Sequence, residues 1–194
     1  NLLSNPTSLY AKQPTVYYGL MYLAKNAKKE VKIHTPYIIC NDYMYNELKN
    51  IKVPTTIMTN SAENNGNIFG AVDYLNHKKD IINTGVTIKE YEGGISYHGK
   101  SMTIDDDIAI VGSFNMDMRS AYIDTELMLV INSKDINKQL KASMEEYEKK
   151  AATVKNETEY SHIPEGMKMK ELSDKKKNIK AWFGWAMNGL RFLF

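Results

Sequence analysis

The chain has 194 residues, 43% of them hydrophobic and 25% charged, which suffices for one domain with its own core and excludes a chain disordered throughout. The formal charge of +2 says little about partners. The single cysteine, Cys40, excludes an intramolecular disulfide framework and a cysteine-cluster zinc site, and no uninterrupted apolar run of 18 residues is present to span a membrane.

Residues 14–29 read as a helix, because Val16, Tyr17, Leu20, Leu23, Ala24 and Ala27 recur at helical spacing and Lys28 and Lys29 suit its C-terminal end. Residues 31–40, rich in β-branched and aromatic types, read as one buried strand with Pro36 at or near its end. Asp42 is the expected cap of a short helix ending near Asn50. A strand over 55–59, a turn-rich loop through Gly66 and a long helix over 68–83, terminated by Gly85, come next. Residues 86–91 give a third strand, and Gly93 and Gly94 break the chain. Three strand-like runs follow at 96–104, 108–113 and 125–132, with Asp105, Asp106 and Asp107 as the turn between the first two. A polar helix is expected over 134–152, and residues 153–173 show no clear periodicity. Strands that alternate with helices and later pair locally predict an α/β fold, a mixed sheet covered by helices.

The informative stretch runs from Tyr97 to Glu126. His98 and Lys100 are two apart, so on a strand they share a face; Ser113 and Asn115 are two apart at the end of the next strand. The aspartate turn folds these strands into a hairpin that brings an imidazole, an ammonium, a hydroxyl and an amide together, with Gly112 leaving room for close approach. Glu126 is placed to accept the Nδ1 proton of His98 and fix its tautomer. These groups suit a phosphodiester: Lys, Asn and Ser hold non-bridging oxygens, and a histidine attacks phosphorus or protonates the leaving alkoxide. No cluster resembles a metal cage, and neither a metal nor a cofactor is expected.

His98-x-Lys100-x4-Asp105-x6-Gly112-Ser113-x-Asn115 resembles the HKD motif of the phospholipase D superfamily. Glu126 falls where members carry the carboxylate that orients the histidine, and Met116 to Ser120 extends the match. Thr35-Pro36-Tyr37-Ile38, Met58-Thr59-Asn60-Ser61 and Gly85-Val86 resemble the C-terminal half of cardiolipin synthases, over roughly residues 14–132. Asp124 departs from that branch, which more often has Asn two residues before the Glu.

The resemblance implies a phospholipase D-like mixed sheet flanked by helices on both faces, one half of a pseudo-two-fold pair. His98 would be one of two active-site histidines, with Lys100 and Asn115 on the phosphate, Ser113 in support and Asp105 mostly structural. The superfamily builds one site from two motifs, whereas this chain holds one. It is therefore expected to be the second half of a two-motif phosphatidyltransferase acting on a phosphatidylglycerol-like lipid, with the other half's histidine forming a phosphohistidine and His98 acting as acid and then base. The alternatives are a homodimeric phosphodiesterase or nuclease, and a non-catalytic assembly or docking half. Residues 1–152 are expected to form the domain, 153–174 a linker or irregular segment, and 175–194 a basic, aromatic, amphipathic tail. The chain begins at Asn1 without a signal-peptide pattern and stops within an apolar stretch, and is read as a piece of a longer protein of a bacterial inner membrane.

Other residues carry plainer readings. His34 reads as a satisfied core or edge histidine, His77 and His162 as exposed, and Cys40 as a small buried hydrophobe. Tyr37 reads as packing, with substrate lining as the alternative. Arg119 is open between a lipid phosphate and a loop carboxylate such as Asp117. The last 27 residues carry a net +5 and the rest −3. Ile179, Trp182, Phe183, Ala186, Leu190 and Leu193 recur at helical spacing beside Lys175, Lys176, Lys177 and Lys180. That pattern fits a helix on a membrane surface or one docked on the protein, and the lysine run keeps nucleic acid open as a partner.

Overall fold

The computed structural model describes residues 1–7, 12–183, 189 and 191–193, with the side chain of Phe183 left out. In chain order the elements are β1 (Leu2–Ser4), α1 (Thr15–Lys25), β2 (Val31–His34), β3 (Ile38–Ile39), α2 (Asp42–Lys49), β4 (Thr55–Asn60), α3 (Ile68–Asn83) and β5 (Thr87–Tyr91). Then come β6 (Ser101–Ile104), β7 (Ile108–Gly112), β8 (Met116–Asp117), α4 (Met118–Tyr122), β9 (Leu127–Asn132), α5 (Lys134–Glu148), β10 (Ala151–Val154), β11 (Tyr160–His162), α6 (Asp174–Phe183) and a 3₁₀ turn at Arg191–Leu193.

Nine strands form one mixed sheet in the order β1-β9-β7-β6-β2-β4-β5-β10-β11. Within this sheet, among the described residues, only β2–β4 and β4–β5 are parallel, and each of these connections carries a helix, as parallel neighbours require. Ile33, Met102 and Ile110 lie side by side across β2, β6 and β7 and pack with Tyr17, Leu20, Leu48 and Ile81 in the main core. Fully burying such side chains is worth about 1.5–3 kcal/mol each. The alternate residues face α5: Lys32 pairs with Glu145 at 3.3 Å, and a smaller cluster forms from Met58, Tyr91 and Ala151 against Tyr97. Helices therefore flank both faces.

Several expectations are corrected. The strand over 31–40 is broken at Pro36, which has no N–H to offer a ladder. The chain leaves the main sheet there, and β3 pairs in parallel with β8 as a separate ladder. α1 ends at Lys25 because the amides of Lys28, Lys29 and Glu30 bond to the Asp105 carboxylate instead of continuing the helix. Asn41, not Asp42, caps α2 by accepting the Met44 N–H; Asp42 sits in the first turn, where a carboxylate meets the positive end of the helix. The helix expected over 134–152 ends at Glu148, and Ala151 and Ala152 join β10, paired with Tyr91 and Glu90 of β5. Alanine favours helix locally, but an open sheet edge overrides that preference. The boundary expected at residue 152 thus falls inside a strand, and the segment expected to be irregular holds β11 as well. The strand expected from residue 96 begins only at Ser101.

His34 is buried, bonded to Tyr97 Oη at 3.3 Å and to Glu148 Oε1 at 3.2 Å. His77 is half-buried rather than exposed, with Nδ1 3.0 Å from Asp80 Oδ2. Cys40 is buried. The C-terminal segment docks on the domain. Lys176 Nζ donates to the carbonyls of Ala62 at 2.8 Å and Asn65 at 3.0 Å, and the Ser173 amide bonds to Glu63. The Arg191 guanidinium takes the buried Asp73 carboxylate at 2.6 and 3.1 Å and the Cys40 carbonyl at 2.9 Å. Lys175, Lys177, Lys180 and Trp182 stay exposed. Ala186 and Leu190 of the amphipathic pattern lie outside the described residues.

Candidate active site

The β6–β7 hairpin positions the site. Asp105 turns the chain with φ of 52°, a left-handed conformation that Asp tolerates better than most residues. Pairing of Ser101 with Val111 carries on through a Gly112 N–H to Lys100 O bond of 3.2 Å. Lys100 is thereby laid beside Gly112 and Ser113. A Cβ on Gly112 would stand 2.1 Å from the Leu127 carbonyl oxygen, so only glycine lets β7 and β9 close here.

His98 is exposed and Lys100 half-buried. Lys100 Nζ lies 2.9 Å from His98 Nδ1 and donates to the His98 carbonyl at 2.8 Å. Nζ is also 3.5 Å from Nε2, so the ammonium lies across the imidazole and close to both ring nitrogens. Partial burial and then the Lys100 charge push the His98 pKa down. Burial also lowers the Lys100 pKa, against the opposing pull of Glu126 and Asp117. Tyr37 meets His98 edge-on with centroids 6.0 Å apart, so it borders the site as well as packing.

Glu126 does not bond to His98. Its carboxylate is buried and accepts the Ser113 hydroxyl on one oxygen and the Ser120 hydroxyl at 2.8 Å on the other. Ser120 Oγ in turn receives the Asn115 N–H at 3.2 Å and its Nδ2 at 3.3 Å, while Asn115 Oδ1 is buried with no partner among the described residues. Asp117 caps α4 through the Ser120 N–H at 2.6 Å. Burial raises the Asp117 carboxyl to about 6. Ser120 is the residue that sequence reasoning missed. The Asp117-x-x-Ser120 cap spacing was the available signal, but nothing local placed its hydroxyl between Asn115 and Glu126.

Asp105 lies away from this group. Burial pushes its pKa up, but the amides of Lys28, Lys29 and Glu30 outweigh that and hold it below the ordinary range. Arg119 pairs with Asp124 at 3.0 Å rather than with Asp117. Beside His98, a groove of about 570 Å³ runs toward α5, lined by Tyr91, Tyr97, Leu140, Met144 and Tyr147.

At the end of the hairpin opposite the aspartate turn, His98 and Lys100 thus lie beside Gly112 and Ser113, from which hydrogen bonds run through Glu126 and Ser120 to Asn115. Residues 20–147 match the family described as "Cardiolipin synthase, PLD-like domain". The chain belongs to this family. It is 30% identical over 159 residues to cardiolipin synthase 1 of Staphylococcus epidermidis, covering 80% of this chain and 32% of that protein. Against cardiolipin synthase 1 of Staphylococcus aureus it is 27% identical over 176 residues, covering 87% and 35%. The chain thus spans about a third of the length of these relatives. Two solved structures share the fold. Phosphatidylserine synthase from Haemophilus influenzae aligns with a TM-score of 0.73 at 16% identity, over 100% of this chain and 47% of that one. Nuc, a phospholipase D family member from Salmonella typhimurium, aligns with a TM-score of 0.62 at 16% identity, over 79% and 96%.

Proposed function

We propose that this chain is one catalytic half of a cardiolipin synthase-type phosphatidyltransferase. The placing of His98 and Lys100 together beside Gly112 and Ser113 at the end of one hairpin carries the reading. Lys100 and Asn115 hold the phosphate of a phosphatidylglycerol-like lipid, with Ser113 in support. A histidine of a second half attacks phosphorus, the bond to the leaving glycerol breaks, and His98 gives that alkoxide its proton. His98 then takes a proton from the acceptor hydroxyl, which attacks phosphorus and frees the phosphohistidine. Burial and then the Lys100 charge lower the His98 pKa, so its imidazolium gives up the proton readily in the first transfer and leaves the neutral ring that takes the acceptor's proton in the second.

Three further observations support the reading. The protein covers 47% of the phosphatidylserine synthase chain, as one of two halves would. Val111, Leu127 and Leu129 are exposed side by side on the sheet next to Ser113, an apolar row suited to a second half. Lys175, Lys177, Lys180 and Trp182 form an outward basic and aromatic face suited to an anionic membrane surface.

One observation favours a second reading. The chain covers 96% of Nuc, so a homodimer hydrolysing a phosphodiester also fits the fold. The test uses the full-length two-motif protein with phosphatidylglycerol vesicles. Transfer that releases glycerol and is lost in His98→Ala is the expected result. Metal-independent cleavage of DNA by the isolated chain as a dimer, with no lipid transfer, overturns it in favour of the second reading. Vesicle binding unchanged by His98→Ala with no turnover of either substrate leaves the non-catalytic docking role.

A further inference from the structure

Residues 96–100 carry His98 but lie outside any strand, since β6 starts at Ser101. The peptide just before His98 is held by a side chain instead. Asn60 Oδ1 accepts the Tyr97 N–H at 2.7 Å, and Asn60 Nδ2 donates to the Tyr97 carbonyl at 2.9 Å. One amide side chain thus stands in for a neighbouring strand. Asn60 itself is fixed: it is 1% exposed and ends the central parallel strand β4, paired with Tyr91. Its second donor bond goes to the Pro36 carbonyl at 3.3 Å, and its oxygen also receives Asn64 Nδ2 at 3.2 Å. All the hydrogen-bonding capacity of the amide is used, so it has one orientation. The Tyr97 ring is held as well, by His34 Nδ1 at 3.3 Å and by Tyr147 with centroids 4.8 Å apart. His98 is exposed, and among the described residues its ring meets Lys100 and Tyr37.

We propose that Asn60 is a positioning residue for His98: by clamping both main-chain polar groups of Tyr97 it sets where the imidazole stands relative to Lys100 and the bound phosphate. The proposal rests on the reading of His98 as acid and base. Asparagine is required because the site needs two donors toward carbonyls and an acceptor toward amides. Aspartate would set a carboxylate against two carbonyl oxygens in a water-free position, and glutamine would displace the amide by a methylene.

The experiment compares Asn60→Ala, Asn60→Asp and Tyr74→Phe in the full-length protein. Tyr74→Phe is the control, a lost buried hydrogen bond to Glu90 with no link to His98. A displacement of about 1 Å at a reacting group can cost on the order of 100-fold in rate. Both Asn60 variants are therefore expected to lose about 30-fold or more in kcat with KM within about twofold, at an unchanged folded fraction. Tyr74→Phe is expected to keep kcat within about threefold. Asn60 variants within about threefold of wild-type kcat overturn the proposal, as does a loss matched by Tyr74→Phe. If neither Asn60 variant folds, Asn64→Ala decides: it removes the bonds to Asn60 and to the Ile95 carbonyl, and an unchanged kcat overturns the proposal. If the wild type transfers no phosphatidyl group, the reading of function fails on its own. The clamp is then judged by hydrogen exchange of the Tyr97 amide, which should speed up about tenfold or more in Asn60→Ala and overturns the clamp if unchanged.

Discussion

Ser113 and Glu126, thirteen residues apart, are joined hydroxyl to carboxylate, and Ser113 Oγ also accepts the Leu127 N–H at 3.0 Å. The hydroxyl proton is committed to Glu126, so Ser113 acts first as part of the wall of the site and meets a phosphate only by releasing that carboxylate. Hydrogen bonds to charged groups are worth about 1.5–3 kcal/mol. Glu126→Gln should lower the unfolding free energy by about 1–3 kcal/mol in urea titrations. A double-mutant cycle with Ser113→Ala should give a coupling above about 1 kcal/mol, and strictly additive losses would contradict the shared bond.

Asp117 makes stability pH-dependent with an unusual sign. Burial lifts its folded pKa from 3.8 to about 6, so the folded state binds the proton more tightly than the unfolded chain. The resulting stabilisation is complete below pH 3.8 and is lost as the pH rises through about 6. Asp117→Asn keeps a capping side chain and removes the charge. The variant should gain roughly 1–2 kcal/mol at pH 8 and show a flatter stability profile between about pH 4 and 7. Equal slopes in the two proteins would be the contrary result.

Lys100 acts directly on His98. Its charge is the second cause of the low His98 pKa, after burial. In Lys100→Gln the imidazole should titrate at higher pH, part of the way back to 6.5, as read by NMR of the ring protons. Turnover should fall about 100- to 1,000-fold, the usual loss of one charge-stabilising donor. A His98 titration that does not move would separate the two residues.

The C-terminal segment contributes to the domain's stability. Arg191 is bidentate on an Asp73 that is 2% exposed. Removing one partner of a buried pair costs about 3–5 kcal/mol, because the other charge stays buried alone. Arg191→Ala should cost about that much, whereas the wild-type pair should be insensitive to added salt. A midpoint unchanged by the substitution would mean the guanidinium is dispensable.

Much of this was legible in the sequence, for local reasons. The helix at 68–83 and the aspartate-turned hairpin rest on short-range patterns, and both stand where periodicity and turn chemistry put them. The segment before Ser101 differs from the expected strand because continuity with the strand at 101–104 signals extension but not a partner. The partner of Tyr97 is a side chain 37 residues earlier. Glu126 was paired with the wrong group for a similar reason: Ser120 reaches it only because the α4 turn rotates a hydroxyl inward. The strand at 151–154 was hidden by alanines whose helical preference yields to an open edge of the sheet.

Asp105 accepts amides from residues 75 to 77 positions earlier in the chain. The middle of the motif is therefore fastened to the start of the central strand, while its two ends supply the chemistry. Eighteen contiguous residues spell the motif, yet they are not a transferable cassette. Grafted onto another hairpin they would bring the imidazole and the ammonium, but not the main-chain harness that tells the turn where to stand.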